Sequence, residues 1–142
     1  MTGVQTCALP IYAETVTHID FTKPYSELIH GVLRSVAVDM ELDFEGEAVY
    51  GATQGPRLET TAEINRMQRD GCDIVGMTGM PEASLARELD LEYACCALVV
   101  NWAAGKGDEE FITMDIIEQH MKNGMVVVSK LLSNALPKLL KL

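Results

Sequence analysis

The chain has 142 residues, which suits one domain, and 48% of them are hydrophobic, so a sizeable core is possible. The formal net charge of −10 argues against nucleic acid or an anionic membrane as a partner, because both require basic patches. The charge does not exclude a small anion such as phosphate, which a helix N-terminus or a few basic side chains can bind.

Residues 1–12 contain a short apolar patch without the basic segment that opens a secretory signal peptide. They resemble translated adapter read-through from sequencing, and we expect them to be a non-native leader. Residues 13–142 are then expected to be the C-terminal portion of a single domain whose gene continues upstream.

The first predicted helix follows Pro24, a residue that suits a helix N-terminus. Apolar residues then recur at helical spacing from Leu28 to Val36. Residues 47–53 predict a strand that ends before a Gly-Pro loop. Thr60 can cap a second helix.

The second helix is expected to run from Thr60 or Thr61 to about Arg69, with Gly71 as its C-terminal stop. The apolar run over residues 72–78 is typical of a buried strand.

The last four segments continue the alternation of helix and strand. Residues 81–89 predict a helix that opens on a proline, and residues 93–101 predict the most hydrophobic strand of the chain. A loop with glycines follows at residues 103–107, and a long amphipathic helix is expected over residues 113–136.

This order predicts an α/β fold, layered α/β/α, with a central mixed, largely parallel sheet. Ligands of such sheets bind at the carboxyl ends of the strands. Three chemically distinctive segments end strands here, at residues 54–59, 76–78 and 101–105. We therefore expect them to converge on one crevice.

The cysteines and histidines do not predict a metal site. None of the cysteines has CxxC spacing, so reduced thiols in a cytoplasmic protein are the plain interpretation. The histidines lack metal-ligand spacing, and each is more often a residue of a surface or helix face. These residues are Cys7, Cys72, Cys95 and Cys96, with His18, His30 and His120.

Glu59 and Asn101 are the leading candidates for ligand recognition. Glu59 precedes a helix, so its plain interpretation is a carboxylate that the helix dipole stabilises. Asn101 ends a very apolar strand, and its amide offers both a donor and an acceptor, but a turn-forming role is an equal alternative to a ligand contact. Together, a carboxylate and an amide suit a 6-oxopurine, which presents N1–H as a donor and O6 and N7 as acceptors.

Three further residues have both a plain and a functional interpretation. Met77 is most often core packing, but it could lie against a sugar. Thr78 could cap a turn or offer its hydroxyl to phosphate. Arg57 is interpreted as structural, either as a surface cation or as an ion-pair partner.

The motifs QGPRLET and GMTGMPE, with a strand that ends in VVN, resemble the purine nucleoside phosphorylase and methylthioadenosine phosphorylase family. The resemblance covers nearly all of residues 17–136. It implies reversible phosphorolysis, in which phosphate attacks C1′ of a purine nucleoside through an oxocarbenium-like transition state. It also implies a homotrimer, with phosphate as co-substrate and without a metal or an organic cofactor.

The resemblance also assigns roles to residues. Glu59 and Asn101 would read and polarise the purine as catalytic residues, and Thr78 would contact phosphate. Leu58 replaces an aromatic residue beside the base, and His18 corresponds to a position that reaches into the adjacent subunit's sugar pocket. The remaining substrate-binding positions are Val75, Met77, Ala103, Met114 and Ile117.

Two departures within the family indicate the substrate. Adenine-selective relatives carry Asp at the positions of Asn101 and Ala103, so this chain favours a 6-oxopurine. Relatives that use ordinary nucleosides carry a His near Met114, whereas Met114 and Ile117 suit a 5′-methylthio group. The expected substrate is therefore S-methyl-5′-thioinosine, cleaved to hypoxanthine and 5-methylthioribose 1-phosphate.

The family's N-terminal half, which supplies most of the phosphate site, has no counterpart in this sequence. We therefore expect the chain alone to be inactive. General phosphorolysis of inosine and guanosine is the second enzymatic possibility. A non-catalytic nucleoside-binding module is the third possibility.

Overall fold

The computed structural model describes residues 17–107 and 113–142, apart from the side chain of Ile116. The leader expected over residues 1–12 lies outside the described residues, as does Cys7, and its foreign origin stays a prediction. In chain order the described elements are α1 (Glu27–Asp39), β1 (Tyr50–Ala52), α2 (Thr61–Arg69), β2 (Ile74–Gly76), α3 (Glu82–Glu88) and α4 (Met114–Leu139).

Helix α1 begins at a serine cap rather than at the predicted proline. The Ser26 hydroxyl accepts the N–H of Ile29 at 3.2 Å, which satisfies a donor at the helix N-terminus. Pro24 therefore lies outside the helix, although the apolar positions that follow it are helical as predicted.

The main core lies between α1 and α4. Leu33 and Val36 of α1 pack with Ala135 of α4, and all three side chains are buried. Full burial of an apolar side chain such as Val36 stabilises the fold by about 1.5–3 kcal/mol. Lys138 and Asp39 add an exposed ion pair of 2.9 Å between the ends of the two helices, a pair type that contributes little.

The two strands are parallel, and α2 is the crossover between them. Gly51 pairs with Val75, and the strands end together at Ala52 and Gly76. They are shorter than the predicted runs over residues 47–53 and 72–78, but lie within them. Helix α2 matches its prediction, from a capping box at Thr60 to a glycine in left-handed conformation, Gly71, with a φ of 90°.

The predicted strand over residues 93–101 is wrong: the structure assigns no strand there. A strand requires a neighbour that completes its backbone hydrogen bonds. Within residues 17–107 and 113–142 the sheet has two strands only, β1 and β2, which pair with each other. The apolar composition of residues 93–101 has strand propensity, but no described strand pairs with it.

The last two helices agree with their predictions. Pro81 and Leu89 flank α3, and α4 begins one residue after Thr113 and continues three residues beyond the predicted end at Leu136. In the described parts of the chain, no helix combines the length and the apolar character needed to cross a membrane.

Candidate functional site

The ends of β1 and β2 meet at Thr53. Its backbone N–H donates to the Gly76 carbonyl at 2.9 Å, which extends the pairing of the strands by one residue. Its hydroxyl donates to the Glu59 carboxylate at 2.7 Å. The carboxylate predicted to read the purine is thus held at the carboxyl end of the sheet, where ligands of parallel sheets bind.

Glu59 is not the capping carboxylate of α2. That role belongs to Glu63, which accepts the Thr60 N–H at 2.7 Å, while the Thr60 hydroxyl accepts the Glu63 N–H at 3.2 Å. Glu59 lies one residue before this cap, so both its interpretation as a carboxylate near the helix N-terminus and its role in ligand recognition stay predictions.

Arg57 has the structural role that the sequence indicated. Its guanidinium donates two hydrogen bonds of 2.8 and 2.7 Å to the two oxygens of Glu63. This fork raises the pKa of Arg57 and holds the pKa of Glu63 well below its ordinary value. The N-terminus of α2 and the loop before it are thereby joined next to Glu59.

Met77 lies against the loop that follows β1. Gly55 has a φ of 65°, and a Cβ at this glycine would lie only 2.5 Å from the Met77 sulfur. The segments at residues 54–59 and 76–78 therefore come together as predicted. Thr78 is exposed, and Val75 is half-buried within β2.

The segment at residues 101–107 reaches the same region through α2. A Cβ at Gly105 would overlap the Thr61 side chain, so the loop passes directly over the start of the helix. The Lys106 ammonium donates to the side-chain oxygens of Asn65 at 2.9 Å and Gln68 at 2.7 Å. The third segment thus contacts α2, and its convergence with the other two segments on one crevice stays a prediction.

Asn101 and Ala103 are half-buried in this loop. The Asn101 amide donates one hydrogen bond of 2.7 Å to the carbonyl of Trp102. An asparagine amide carries two N–H donors and an acceptor oxygen, so this bond uses one part of its capacity. The role of Asn101 in purine reading stays a prediction.

Four other predicted site residues lie towards the surface. Leu58 is 46% exposed beside Glu59, and Met114 is 66% exposed at the first position of α4. Ile117, one turn later, is half-buried, and His18 is exposed. Their assignments to the base, the 5′ group and the neighbouring subunit stay predictions.

Two clefts differ in their relation to these residues. A cleft of about 260 Å³ has Glu59 in its wall, with Thr53 and Arg57. A larger open cleft of about 770 Å³ lies between α1, residues 95–99 and α4. None of the predicted site residues lines the larger cleft, so the chemistry points to the smaller one.

The sequence interpretation missed three residues that shape the site. Thr53 was treated as a strand end, Tyr50 as a strand residue, and Lys106 was not singled out. Each makes its contact across a gap in the sequence, and no local pattern signals such a contact. For Thr53, the parallel register of two strands was the one available signal, because it places Thr53 beside the end of β2.

Across residues 17–107 and 113–142, no group of three or more His, Cys, Asp or Glu side chains is arranged to hold a metal ion.

Residues 3–137 match the family model described as the phosphorylase superfamily. The chain belongs to the phosphorylase superfamily. This agrees with the motifs QGPRLET and GMTGMPE, whose residues contribute to the two adjoining strand ends.

Relatives within the superfamily carry more specific names. A Pseudomonas syringae pv. tomato protein named "Probable S-methyl-5′-thioinosine phosphorylase" is 58% identical over 123 residues, which are 87% of this chain and 50% of that protein. The "6-oxopurine nucleoside phosphorylase" of Pyrococcus furiosus is 41% identical over 122 residues, 86% of this chain and 46% of that protein. The chain thus spans about half the length of the curated relatives it matches.

The fold is that of a nucleoside phosphorylase. The methylthioadenosine phosphorylase from Schistosoma mansoni, solved in complex with adenine, superposes with a TM-score of 0.81 at 27% identity. The superposition covers 87% of this chain and 49% of that structure. The described part of the present chain contributes four helices and a two-stranded parallel sheet to this fold.

Proposed function

We propose that this chain is the purine-binding, C-terminal portion of a nucleoside phosphorylase that cleaves S-methyl-5′-thioinosine with phosphate. The position of Glu59 carries the proposal, because its carboxylate is fixed by Thr53 at the joined strand ends and lines a cleft. The 58% identity to the Pseudomonas syringae protein of that name supports the choice of reaction.

In the proposed reaction, an oxygen of hydrogen phosphate forms a bond to C1′ while the C1′–N9 bond breaks. The electrons of the broken bond pass to the purine, which takes up the proton that the phosphate loses. Glu59 accepts the N1–H of the 6-oxopurine. Asn101 donates its second N–H to N7 or O6, where negative charge develops as the base leaves. The bond that Asn101 donates strengthens as this charge develops and so lowers the barrier, whereas Glu59 selects and orients the base, and these two are the proposed catalytic residues.

The remaining contacts position the substrate. Val75 and Met77 form the wall beside base and ribose, and Thr78 offers its hydroxyl to phosphate. Leu58 and Ala103 border the base. Met114 and Ile117 face the 5′-methylthio group, which prefers apolar surroundings.

The exposed apolar surface supports the proposal that further chain completes this domain. Apolar side chains from both α1 and α4 line the cleft of about 770 Å³, among them Leu33, Val127 and Leu131. Val99 and Trp102 are 65% and 69% exposed, beside a segment with strand composition that has no described strand partner. Large exposed apolar patches are unusual for a domain that is complete by itself.

We further propose that the full-length protein is a homotrimer in the cytoplasm. Here full-length protein means this chain joined to the upstream half that the proposal requires. His18 would reach the sugar pocket of the adjacent subunit, and its exposure is compatible with that role. The free thiols of Cys72 and Cys95 agree with a reducing compartment.

A substrate panel tests the proposed function. The full-length protein should cleave S-methyl-5′-thioinosine with a kcat/KM well above those for methylthioadenosine, inosine and adenosine. A preference for methylthioadenosine would contradict the role of Asn101, and a preference for inosine would contradict that of Met114. Residues 1–142 alone should be inactive, and binding of nucleoside without phosphorolysis by the full-length protein would favour a non-catalytic module.

A further inference from the structure

The turn that follows β2 is built around the side chain of Tyr50. This tyrosine is the first residue of β1, and its hydroxyl oxygen accepts the backbone N–H groups of Thr78 and Gly79, both at 3.2 Å. One phenol oxygen thus orients two consecutive peptide groups of the segment that carries the predicted phosphate contact.

Two glycines of the turn leave space for this phenol. A Cβ at Gly79 would lie 2.8 Å from Cε1 of Tyr50, and a Cβ at Gly76 would overlap the Tyr50 hydroxyl. Gly76 and Gly79 are not among the described glycines with a positive φ. A larger side chain at either position is therefore disfavoured by lack of space and not by the backbone conformation. The two glycines of GMTG therefore leave the space that the Tyr50 ring and hydroxyl occupy.

We propose that Tyr50 is a positioning residue for phosphate, acting through Thr78. This inference rests on the proposed function. Thr78 is exposed, and the described contact that fixes its backbone beyond the strand is the bond to Tyr50. With the peptide groups of Thr78 and Gly79 held by the phenol oxygen, the Thr78 hydroxyl is presented at the carboxyl end of β2 before phosphate arrives.

Tyr50→Phe in the full-length protein tests the proposal, because it removes the acceptor and keeps the ring. Tyr25→Phe is the matched control: the Tyr25 hydroxyl is buried near Gly79 but has no hydrogen-bond partner among the described residues. Tyr50→Phe should raise the KM for phosphate about tenfold, as expected for the loss of one or two hydrogen bonds, with a smaller change in the KM for nucleoside. Tyr25→Phe should leave both values close to those of the parent protein.

A double-mutant cycle separates positioning from a general effect on the fold. If Tyr50 acts through Thr78, its replacement should change the KM for phosphate much less when Thr78 is already valine. An equal effect of Tyr50→Phe in both backgrounds would overturn the proposal, as would equal values for Tyr50→Phe and Tyr25→Phe.

Amide hydrogen exchange provides a measurement that needs no activity. In the parent protein the amides of Thr78 and Gly79 should be protected from exchange, and Tyr50→Phe should speed the exchange of both. Unprotected amides in the parent protein would overturn the proposal even if the variant failed to fold. A parent protein that cleaves none of the nucleosides would refute the proposed function instead, and the exchange rates would still decide whether Tyr50 holds the turn.

Discussion

The hydroxyl of Thr53 donates a hydrogen bond of 2.7 Å to the carboxylate of Glu59, six positions further along the chain. The N–H of the same threonine is bound to the Gly76 carbonyl at 2.9 Å. The position of the carboxylate therefore follows from the register of the parallel strands. A one-residue change of register would move both Thr53 and the carboxylate that it holds.

Thr53→Val should impair the reading of the purine without removing Glu59. Valine keeps the shape of threonine but leaves the carboxylate without its donor, and a hydrogen bond to a charged group contributes about 1.5–3 kcal/mol. In the full-length protein we expect kcat/KM for S-methyl-5′-thioinosine to fall at least about tenfold. Steady-state kinetics measure this loss.

Thr22→Val is the control for this substitution. The Thr22 hydroxyl donates to the Asp20 carboxylate at the same distance of 2.7 Å, on an exposed part of the chain. This variant should retain the kcat/KM of the parent protein. Equal losses in the two variants would refute a specific role for the bond between Thr53 and Glu59.

The stability of the α2 N-terminus should depend on acid pH through Glu63. Its pKa is lowered first by the hydrogen bonds from Arg57 and then by those from Thr60. A carboxyl group whose pKa is lowered on folding stabilises the native state above its ordinary value of 4.5, and this contribution is lost as the pH falls from 4.5 towards the lowered pKa. Because the pair is exposed, the effect should be modest.

Glu63→Gln should remove that part of the pH dependence. Urea unfolding of the parent protein and the variant, from neutral to acid pH, gives the two stability profiles. The profiles should differ at neutral pH and converge below pH 4.5. A difference in unfolding free energy that stays constant across the whole pH range would mean that ionisation of Glu63 does not contribute. Glu27→Gln, which breaks the exposed pair with Lys23, is the control.

Local signals in the sequence predicted the helices well, whereas contacts between distant residues could not be predicted. Thr60 and Gly71 delimit α2 because capping and left-handed conformation depend on residue type at one position. The bond from Thr78 to Tyr50 spans 28 positions, and that from Lys106 to Gln68 spans 38. Side chains at such separations meet through the tertiary fold, which no local pattern encodes.

The incorrect strand prediction has a different cause. Residues 93–101 have the composition of a buried strand, but strand formation depends on a neighbour as well as on the segment itself. The composition therefore indicated that the segment is able to form a strand. It does not form one here because no described strand pairs with it. The same reasoning explains why Val99 is apolar and yet 65% exposed.

Lys106→Met should loosen the loop that carries Asn101. The ammonium of Lys106 links this loop to Asn65 and Gln68 of α2, and methionine keeps most of the chain length without the three donors. In the full-length protein we expect a loss of kcat/KM of about three- to tenfold, in line with one or two lost hydrogen bonds. Lys122→Met, on the exposed surface of α4, should leave kcat/KM unchanged. A similar loss in that variant would contradict the proposed role of Lys106 in holding the loop.

Asn101→Asp should shift the preference from 6-oxopurines towards 6-aminopurines. A carboxylate at position 101 can accept a hydrogen bond from the 6-amino group of an aminopurine. Facing a 6-oxopurine, the same carboxylate repels O6 and both oxygens are left without a donor. The ratio of kcat/KM for S-methyl-5′-thioinosine to that for methylthioadenosine should fall by at least about tenfold. A ratio that stays constant while both values fall would show that Asn101 supports the loop without reading the base.

Met114→His should shift the preference at the other end of the nucleoside. Met114 begins α4, and its thioether offers no strong donor to a 5′-hydroxyl, whereas a histidine can pair with one. Leaving a buried hydroxyl unpaired costs about 1–3 kcal/mol, so the ratio of kcat/KM for inosine to that for S-methyl-5′-thioinosine should rise about tenfold. Met121→His, two turns further along the same helix and also exposed, is the matched control and should leave the ratio unchanged. Met114 is 66% exposed in this chain, so the predicted shift in preference requires that the full-length protein encloses this residue. An unchanged ratio of the two kcat/KM values would mean that the 5′ group does not lie against Met114.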